Sequence, residues 1–325
     1  MKSAFLAFGV AMLVAGGAPV AAAQEQPPWT VATAANDFGT DRPNFSYTAN
    51  AGDQLQDGLV VSNSGSTPLE LVVYSADAFT TESGGVDLVT RDVRSTGVGA
   101  WVRPAVDHVT VPPGASADVP FTLTVPADAA TGDHLGGIVT SVQEGDAERR
   151  VGIRIKLRVG GDLKPGLAVE DLNVDYSGAA FGAGDATVTY TLHNTGNAIV
   201  AARQAVSVSG PFGSWQTAAA PVADSPQLLP GEKWRVSAPV AGVVPALELT
   251  GTVTLTPLLT DAAGSTLPLA ESVSTTHGWA IPWAWLAVLV FVVLVVVLVV
   301  VLLLVRRRKA TVPASAPRER ETAGT

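Results

Sequence analysis

Residues Ile281 to Val305 form a run of 25 residues without a charge. At about 1.5 Å of rise per residue, such a run makes a helix of roughly 37 Å, enough to cross a hydrocarbon core of about 30 Å with some tilt. Trp279, Trp283 and Trp285 cluster at its start, where an aromatic belt belongs, and Arg306, Arg307, Arg308 and Lys309 follow at once. Because positive residues stay on the cytoplasmic side, the pattern predicts one span over residues 279–305 and a short basic cytoplasmic tail over 306–325. A buried core helix would not carry such a run and then four cations. No LPxTG-type sorting signal precedes the run, since LPLAE at 267–271 is not one. The chain is therefore expected to stay in the cell membrane, with its N-terminal part outside. The tail is rich in Pro, Ala, Arg and Glu and reads as disordered.

The N-terminus carries a second, shorter apolar run. MKSAFLAFGVAMLVAGGAPVAAAQ has one Lys, an apolar stretch from Ala4 to Ala15, and an A-x-A pattern at Ala21 and Ala23. This is the layout of a secretory signal peptide over residues 1–23, with cleavage before Gln24. No Cys follows that could carry a lipid anchor. The exported portion, residues 24–278, suits two domains of ordinary size. It has no Cys, so each domain must be held by its core alone, and thiol nucleophiles and thiolate metal sites are excluded. It holds 13 Lys and Arg against 27 Asp and Glu. An acidic balance of this kind argues against nucleic acid as a partner, which needs a basic footprint.

Within the exported portion no stretch has convincing helical periodicity. Short β-rich runs alternate with turn residues, the pattern of sandwiches. The first set is Leu59–Val61, Leu69–Ser75, His108–Val111, Val119–Val125, Ile138–Val142 and Val151–Val159. The second is Leu167–Val174, Ala186–Leu192, Ala198–Val208, Lys233–Val240, Leu247–Thr256 and Leu267–Thr275. Both sets contain Asn-x-Gly (Asn63–Gly65, Asn194–Gly196) and later Pro-Gly (Pro113–Gly114, Pro230–Gly231). Asn and Gly accept φ > 0 and so close turns between strands. The weak repeat predicts an all-β chain of two tandem immunoglobulin-like β-sandwiches, residues 24–162 and 163–278. The boundary falls near GGDLKP at 160–165, and one transmembrane helix follows.

The stretch VPADAATGDHLGGIV invites a search for chemistry. Gly132, Gly136 and Gly137 fit neither G-x-G-x-x-G nor G-x-x-x-x-G-K-[ST], and no helix follows to hold a phosphate. The stretch reads as a corner leading into a strand from Ile138, with His134 in the place of a corner tyrosine. The histidines, His108, His134, His193 and His277, have no metal-ligand spacing, and neither H-E-x-x-H nor a G-x-S-x-G elbow occurs. No cofactor, metal site or catalytic residue is expected. RRVGIRIKLRV at 149–159 alternates: Val151, Ile153, Ile155, Leu157 and Val159 face one way, and Arg154, Lys156 and Arg158 the other. A row of cations can hold the carboxylates or phosphates of a wall polymer. It can equally keep an edge strand from pairing with other chains. Trp101 and Trp215 lie near turns, where an aromatic either stacks on a sugar ring or anchors a sandwich core. The candidate wall contacts are Arg154, Lys156, Arg158 and Trp101.

The order of motifs over residues 38–160 resembles the peptidoglycan-binding module of the WxL-interacting protein family (DUF916). The matching features are the Asn-Ser-Gly turn, Gly84–Gly85, Trp101–Val102, Pro113–Gly114 and the corner from Pro126 through Gly132, Asp133 and His134 to Gly136 and Gly137. Members also carry a second β-domain, one C-terminal span and a short basic tail. The resemblance implies peptidoglycan binding by the first domain without catalysis, host-factor binding by the second, and surface proteins carrying WxL modules as partners. Ala-, Gly-, Val- and Arg-rich usage points to a GC-rich genome such as an actinobacterium's. Two other readings stay open. One is a chaperone-like protein that adds strands to exported polypeptides, which requires an exposed sheet edge. The other is a wall hydrolase, for which the sequence offers no cleft carboxylate or metal.

Overall fold

The computed structural model describes residues 27–145, 147–178, 182–260, 266–281 and 283–310; the expected signal peptide and residues 311–325 of the expected tail lie outside the described residues. The first half of the chain forms β1 (Trp29–Thr33), β2 (Phe45–Ala49), β3 (Gln54–Asn63), β4 (Leu69–Thr80), β5 (Val86–Leu88), the one-turn helix α1 (Val98–Trp101), β6 (Val102–Pro104), β7 (His108–Val111), β8 (Ser116–Thr124), β9 (Gly132–Glu144) and β10 (Ala147–Val159). The second half forms β11 (Leu167–Ser177), β12 (Gly184–Asn194), β13 (Val200–Ser209), β14 (Thr217–Ala218), β15 (Lys233–Val243), β16 (Leu247–Thr260), β17 (Thr266–Pro268), β18 (Ser272–Ala280) and then α2 (Trp283–Ala310). These are two tandem immunoglobulin-like β-sandwiches. In the first, sheet β1-β3-β8-β6 faces sheet β2-β10-β9-β4-β5, with β7 also on β4. In the second, β11-β12-β15 faces β14-β13-β16, with β17 and β18 both on β16.

Period-two patterning builds both cores. In β2 (FSYTA) burial alternates, and in β10 Ile153, Ile155, Leu157 and Val159 are buried while Arg154 is exposed. The first core gathers Phe45, Leu59, Leu71, Phe121, Ile138 and Ile155, and the second Val188, Tyr190, Leu192, Val208, Val253 and Leu255. Full burial of one such aliphatic or aromatic side chain is worth about 1.5–3 kcal/mol. Trp29 is buried in the first core, and its indole N–H donates to the Thr140 hydroxyl at 2.8 Å. A buried Trp keeps its core site only with its polar edge so satisfied.

The repeated Asn-x-Gly and Pro-Gly have a common physical cause. Asn63 Nδ2 donates to the Thr67 and Val111 carbonyls, and its Oδ1 accepts from Gly65 N. Asn194 does the same with Ala198, Leu228 and Gly196. The Asn63 and Asn194 backbone N–H groups also donate alike, to the carbonyls of Ala115 and Glu232 just past each Pro-Gly. Each Asn thus ties its own turn to the later one. A positive φ occurs at Gly114 (67°) and Gly231 (82°), but at neither Asn nor at Gly65 or Gly196. The side chain, rather than backbone freedom, explains the Asn.

Several expectations are revised. β1, β2, β5, β6 and β14 were not anticipated, and the run Leu267–Thr275 is divided between β17 and β18. α1 is a helix, but with four residues it is too short to show a period. The strand expected from Ile138 begins at Gly132, so the glycines lie inside β9. A Cβ on Gly136 would sit 2.7 Å from the Ala76 carbonyl oxygen and 2.8 Å from Val98 Cβ. One on Gly137 would sit 2.5 Å from the Ile153 oxygen. The glycines let α1 and β5 close onto the sheet.

The chain changes sheets early. β1 runs antiparallel to β3, whereas β2 runs parallel to β10. The crossing segment, residues 34–44, is pinned by Asp57, whose side chain is fully buried. Arg42 grips this carboxylate with two nitrogens, at 2.6 and 3.0 Å. Tyr47 OH donates to it at 2.6 Å, Gly58 N at 2.7 Å, and the Asn36 amide donates as well. The guanidinium also lies 5.3 Å from the Phe45 ring centre and 5.9 Å from that of Phe38. Burial disfavours the Asp57 charge, but the hydrogen bonds from Arg42, Tyr47, Gly58 and Asn36 outweigh it and hold the carboxyl below the usual carboxylate range.

Candidate functional site

One candidate site is the edge of β10. Against β9 this strand is paired along its whole length, Ala147 to Val159. On its other side β2 pairs only Ile155 to Val159. Residues 147–154 therefore have no strand paired with them on that side among the described residues. Gly160 N donates to the Ala49 carbonyl, so even-numbered residues here aim their N–H and C=O toward the β2 side. By that alternation the peptide groups of Arg150 and Gly152 point into the open edge. β2, which closes the rest, is held in place by Asp57 through Tyr47 and through Arg42 of the crossing segment.

The outward face of β10 carries Arg150, Gly152, Arg154, Lys156 and Arg158. Arg154 is exposed, with no partner among the described residues, and Lys156 is half-buried. Arg158 is committed to the fold: Nε and Nη2 hold the buried Asp133 carboxylate at 2.7 and 3.0 Å. That hydrogen bond raises the Arg158 pKa further. Arg150 is likewise tied to Asp87 at 2.6 Å and to the Leu88 carbonyl at 2.8 Å. The cationic row is thus largely a set of braces, with Arg154 its most available member.

Trp101 is also drawn inward. Asp77 accepts from the backbone N–H groups of Thr96, Gly97 and Gly99, which fixes the chain entering α1. α1 then lays the Trp101 ring 4.8 Å from that of His134. The His134 Nε2 meets the Ala130 carbonyl at 2.8 Å, four residues upstream. This is the corner role expected for His134, with Trp101 packed on it at the margin of the first core. Trp215 is different: it is 62% exposed.

Three residues, Asp133, Asn197 and Glu232, join the sandwiches. Asp133, besides holding Arg158, accepts from Ile199 N, and its own N–H donates to the Asn197 carbonyl at 2.7 Å. Asn197 Nδ2 donates to the Thr131 and Asp162 carbonyls, and its Oδ1 accepts from Lys164 N. Glu232 reaches from the second sandwich to Thr80, accepting from its N–H at 2.8 Å and its hydroxyl at 2.6 Å. Gly132 (φ 125°) is required here, because a Cβ would collide with the Asn197 carbonyl. A cleft of about 320 Å³ lies in this seam, lined by Asp77, Val98, Asp133, His134, Asn197 and Leu229 among others. Its carboxylates are occupied by backbone N–H groups and Arg158. Among the described residues no group of three or more His, Asp or Glu is arranged to hold a metal.

α2 begins three residues after β18 ends. Its segment Trp283–Arg306 is long and apolar enough to cross a membrane, with a mean hydropathy of 4.0 and none of it buried against the sandwiches.

No family model matches the chain, and no curated protein matches it. Solved structures do. A structure described as a chaperone–tip adhesin complex of CFA/I fimbriae biogenesis is similar at 8% identity and TM-score 0.40, covering 76% of this chain and 98% of that one. The YadV chaperone is similar at 10% identity and TM-score 0.35, covering 77% and 100%. The CupB2 chaperone of Pseudomonas aeruginosa is similar at 11% identity and TM-score 0.31, covering 74% and 98%. Such identities leave function open.

Proposed function

We propose that this is a non-catalytic, membrane-anchored surface protein whose outer sandwich captures an extended segment of another exported polypeptide on the open edge of β10. The observation that carries the reading is the unpaired side of residues 147–154 beside a fully paired one. Such an edge offers main-chain donors and acceptors to an incoming strand, and side chains flanking it select the sequence. Arg154 beside it favours a segment with an acidic residue. The sandwich is braced on both sides of the edge, by Asp57 and Arg42 below β2 and by Arg150 and Asp87 above β10, so little ordering is needed on binding. In this reading α2 anchors the chain, the sandwiches lie outside, and the basic tail lies in the cytoplasm.

The test is site-specific photo-crosslinking from position 154 of the full chain in its native membrane, alone and with Gly152→Pro. Proline removes the N–H that points into the open edge without removing a bond to β9. The expected result is one protein adduct from position 154 that is absent from position 103 on the opposite sheet and falls at least several-fold with Gly152→Pro. Adducts unaffected by Gly152→Pro, in a variant of unchanged thermal stability, contradict it.

A second reading, attachment to peptidoglycan or another anionic wall polymer, follows from the resemblance to WxL-interacting proteins and is favoured by the outward cations Arg154 and Lys156. Its test is co-sedimentation of the full chain in detergent with sacculi. Binding that weakens with salt and is lost in Arg154→Glu/Lys156→Glu supports the wall.

A further inference from the structure

We propose that the end of the second sandwich nearest α2 docks into the lipid interface, inserting Phe212, Trp215, Val244 and Leu247 beside the aromatic start of the helix. The proposal rests on the reading of α2 as a membrane span and adds a second, peripheral contact to it.

Strand registers place these residues together. Ala280, the last residue of β18, pairs with Leu247, the first of β16, and Trp279 pairs with Glu248. Ser209, the last residue of β13, pairs with Thr250, so the 210–216 loop leaves the sheet at the same end. Val243, the last residue of β15, pairs with Gly184, the first of β12, so the 244–246 connection is there too. The opposite end of this sandwich carries Asn197 and Glu232 and faces the first sandwich. Three residues after Ala280, α2 begins. The sandwich therefore stands with one end on the other sandwich and the other end over the membrane.

That membrane end is unusually apolar. Phe212 is 109% exposed, Trp215 62%, Leu247 55% and Trp279 76%. The loops GPFGSWQ at 210–216 and AGVVPAL at 241–247 contain no charged residue. Phe212, Trp215 and Leu247 also take positive φ, of 58°, 48° and 62°, which costs a bulky residue strain. Large apolar side chains held outward in a strained backbone are wasted in water. They suit the interfacial belt, where Trp and Phe seat at the level of the headgroups. Among the described charges at this end, Glu248 is paired with His277, and Asp185 accepts from Gly242 N. With no Lys or Arg among the described residues at this end, docking is driven by apolar insertion and is insensitive to anionic lipid.

The chain has no cysteine, so single cysteines report cleanly. Full chain carrying Phe212→Cys or Val244→Cys, labelled with an environment-sensitive fluorophore, is reconstituted in phosphatidylcholine vesicles with and without phosphatidylglycerol. Thr110→Cys on the first sandwich serves as the water reference and Val293→Cys inside α2 as the span reference. Lipids brominated at shallow or deep acyl positions are the quenchers. The expected result is several-fold stronger shallow quenching at 212 and 244 than at 110, deep quenching at 293, and no dependence on phosphatidylglycerol. Quenching at 293 with 212 and 244 no different from 110 overturns the docking while leaving the anchor intact. A blue-shifted 212 probe that lipid bromines do not quench also overturns it, because a second protein copy then covers the patch. No quenching at 293 overturns the anchor, and the docking with it.

Discussion

Arg42→Met is expected to cost about 3–5 kcal/mol of stability at neutral pH, because it strands the fully buried Asp57 carboxylate without its counter-ion. The pH dependence separates this cause from lost packing. In the wild-type protein the Asp57 pKa lies below its unfolded value. Its contribution is therefore fully present above the unfolded carboxylate pKa of about 3.9, and is lost as pH falls through the folded value. In the variant, burial is opposed by fewer donors, and the carboxyl protonates more readily folded than unfolded. The penalty should then be largest near neutrality and shrink on acidification through about pH 4. Denaturant unfolding of both proteins across this range checks it. A penalty below about 1 kcal/mol, or one constant with pH, contradicts the account. The variant should also loosen β2, since residues 34–44 lose their pin, and so widen the open edge of β10.

Asp133→Ala is expected to cost about 3 kcal/mol and to uncouple the two sandwiches. The carboxylate is fully buried, pairs Arg158, and accepts the N–H of Ile199, which is itself only 3% exposed. Alanine leaves both partners unsatisfied in the seam. The wild-type chain should melt its sandwiches together. The variant should show two separate transitions, with the first-sandwich transition lowered by the loss of the Arg158 pair. Asp133→Asn, which keeps an acceptor for Ile199 N, should restore much of the coupling but not the ion pair. A single unshifted transition for Asp133→Ala would mean that Asn197 and Glu232 suffice to hold the seam.

The sequence makes some of this legible and hides the rest for identifiable reasons. β10 can be read because its alternation is long, and His134 because a corner residue follows a Pro and a Gly in a familiar order. The repeated Asn-x-Gly is visible as a pattern, but its cause is not: Asn63 and Asn194 act by bridging to the carbonyls of Val111 and Leu228, dozens of residues later. β1 (WTVAT) and β2 (FSYTA) escape notice because each mixes few aliphatic residues with Thr and Ser and pairs only with strands far along the chain, β3 and β10. The row Arg154, Lys156 and Arg158 looks like a binding face until Asp133, one residue before His134, is seen to claim Arg158. Asp133, Asn197 and Glu232 stand in or beside the turn motifs, but their part in joining the sandwiches is hidden, because each works on a partner beyond its own sequence neighbourhood. The open edge itself cannot be read from the chain, since it depends on where β2 stops pairing.

Among the described residues one side of β10 is unpaired from Ala147 to Arg154, and in the proposed reading it is available to an incoming strand. Residue-resolved amide hydrogen exchange on the full chain in micelles tests it most directly. The amides of Arg150 and Gly152, aimed into the open edge, should exchange orders of magnitude faster than those of Val151 and Ile153, which bond to β9. Uniform protection along 147–154 would mean that the edge is already covered, and the capture of a partner strand there would be excluded.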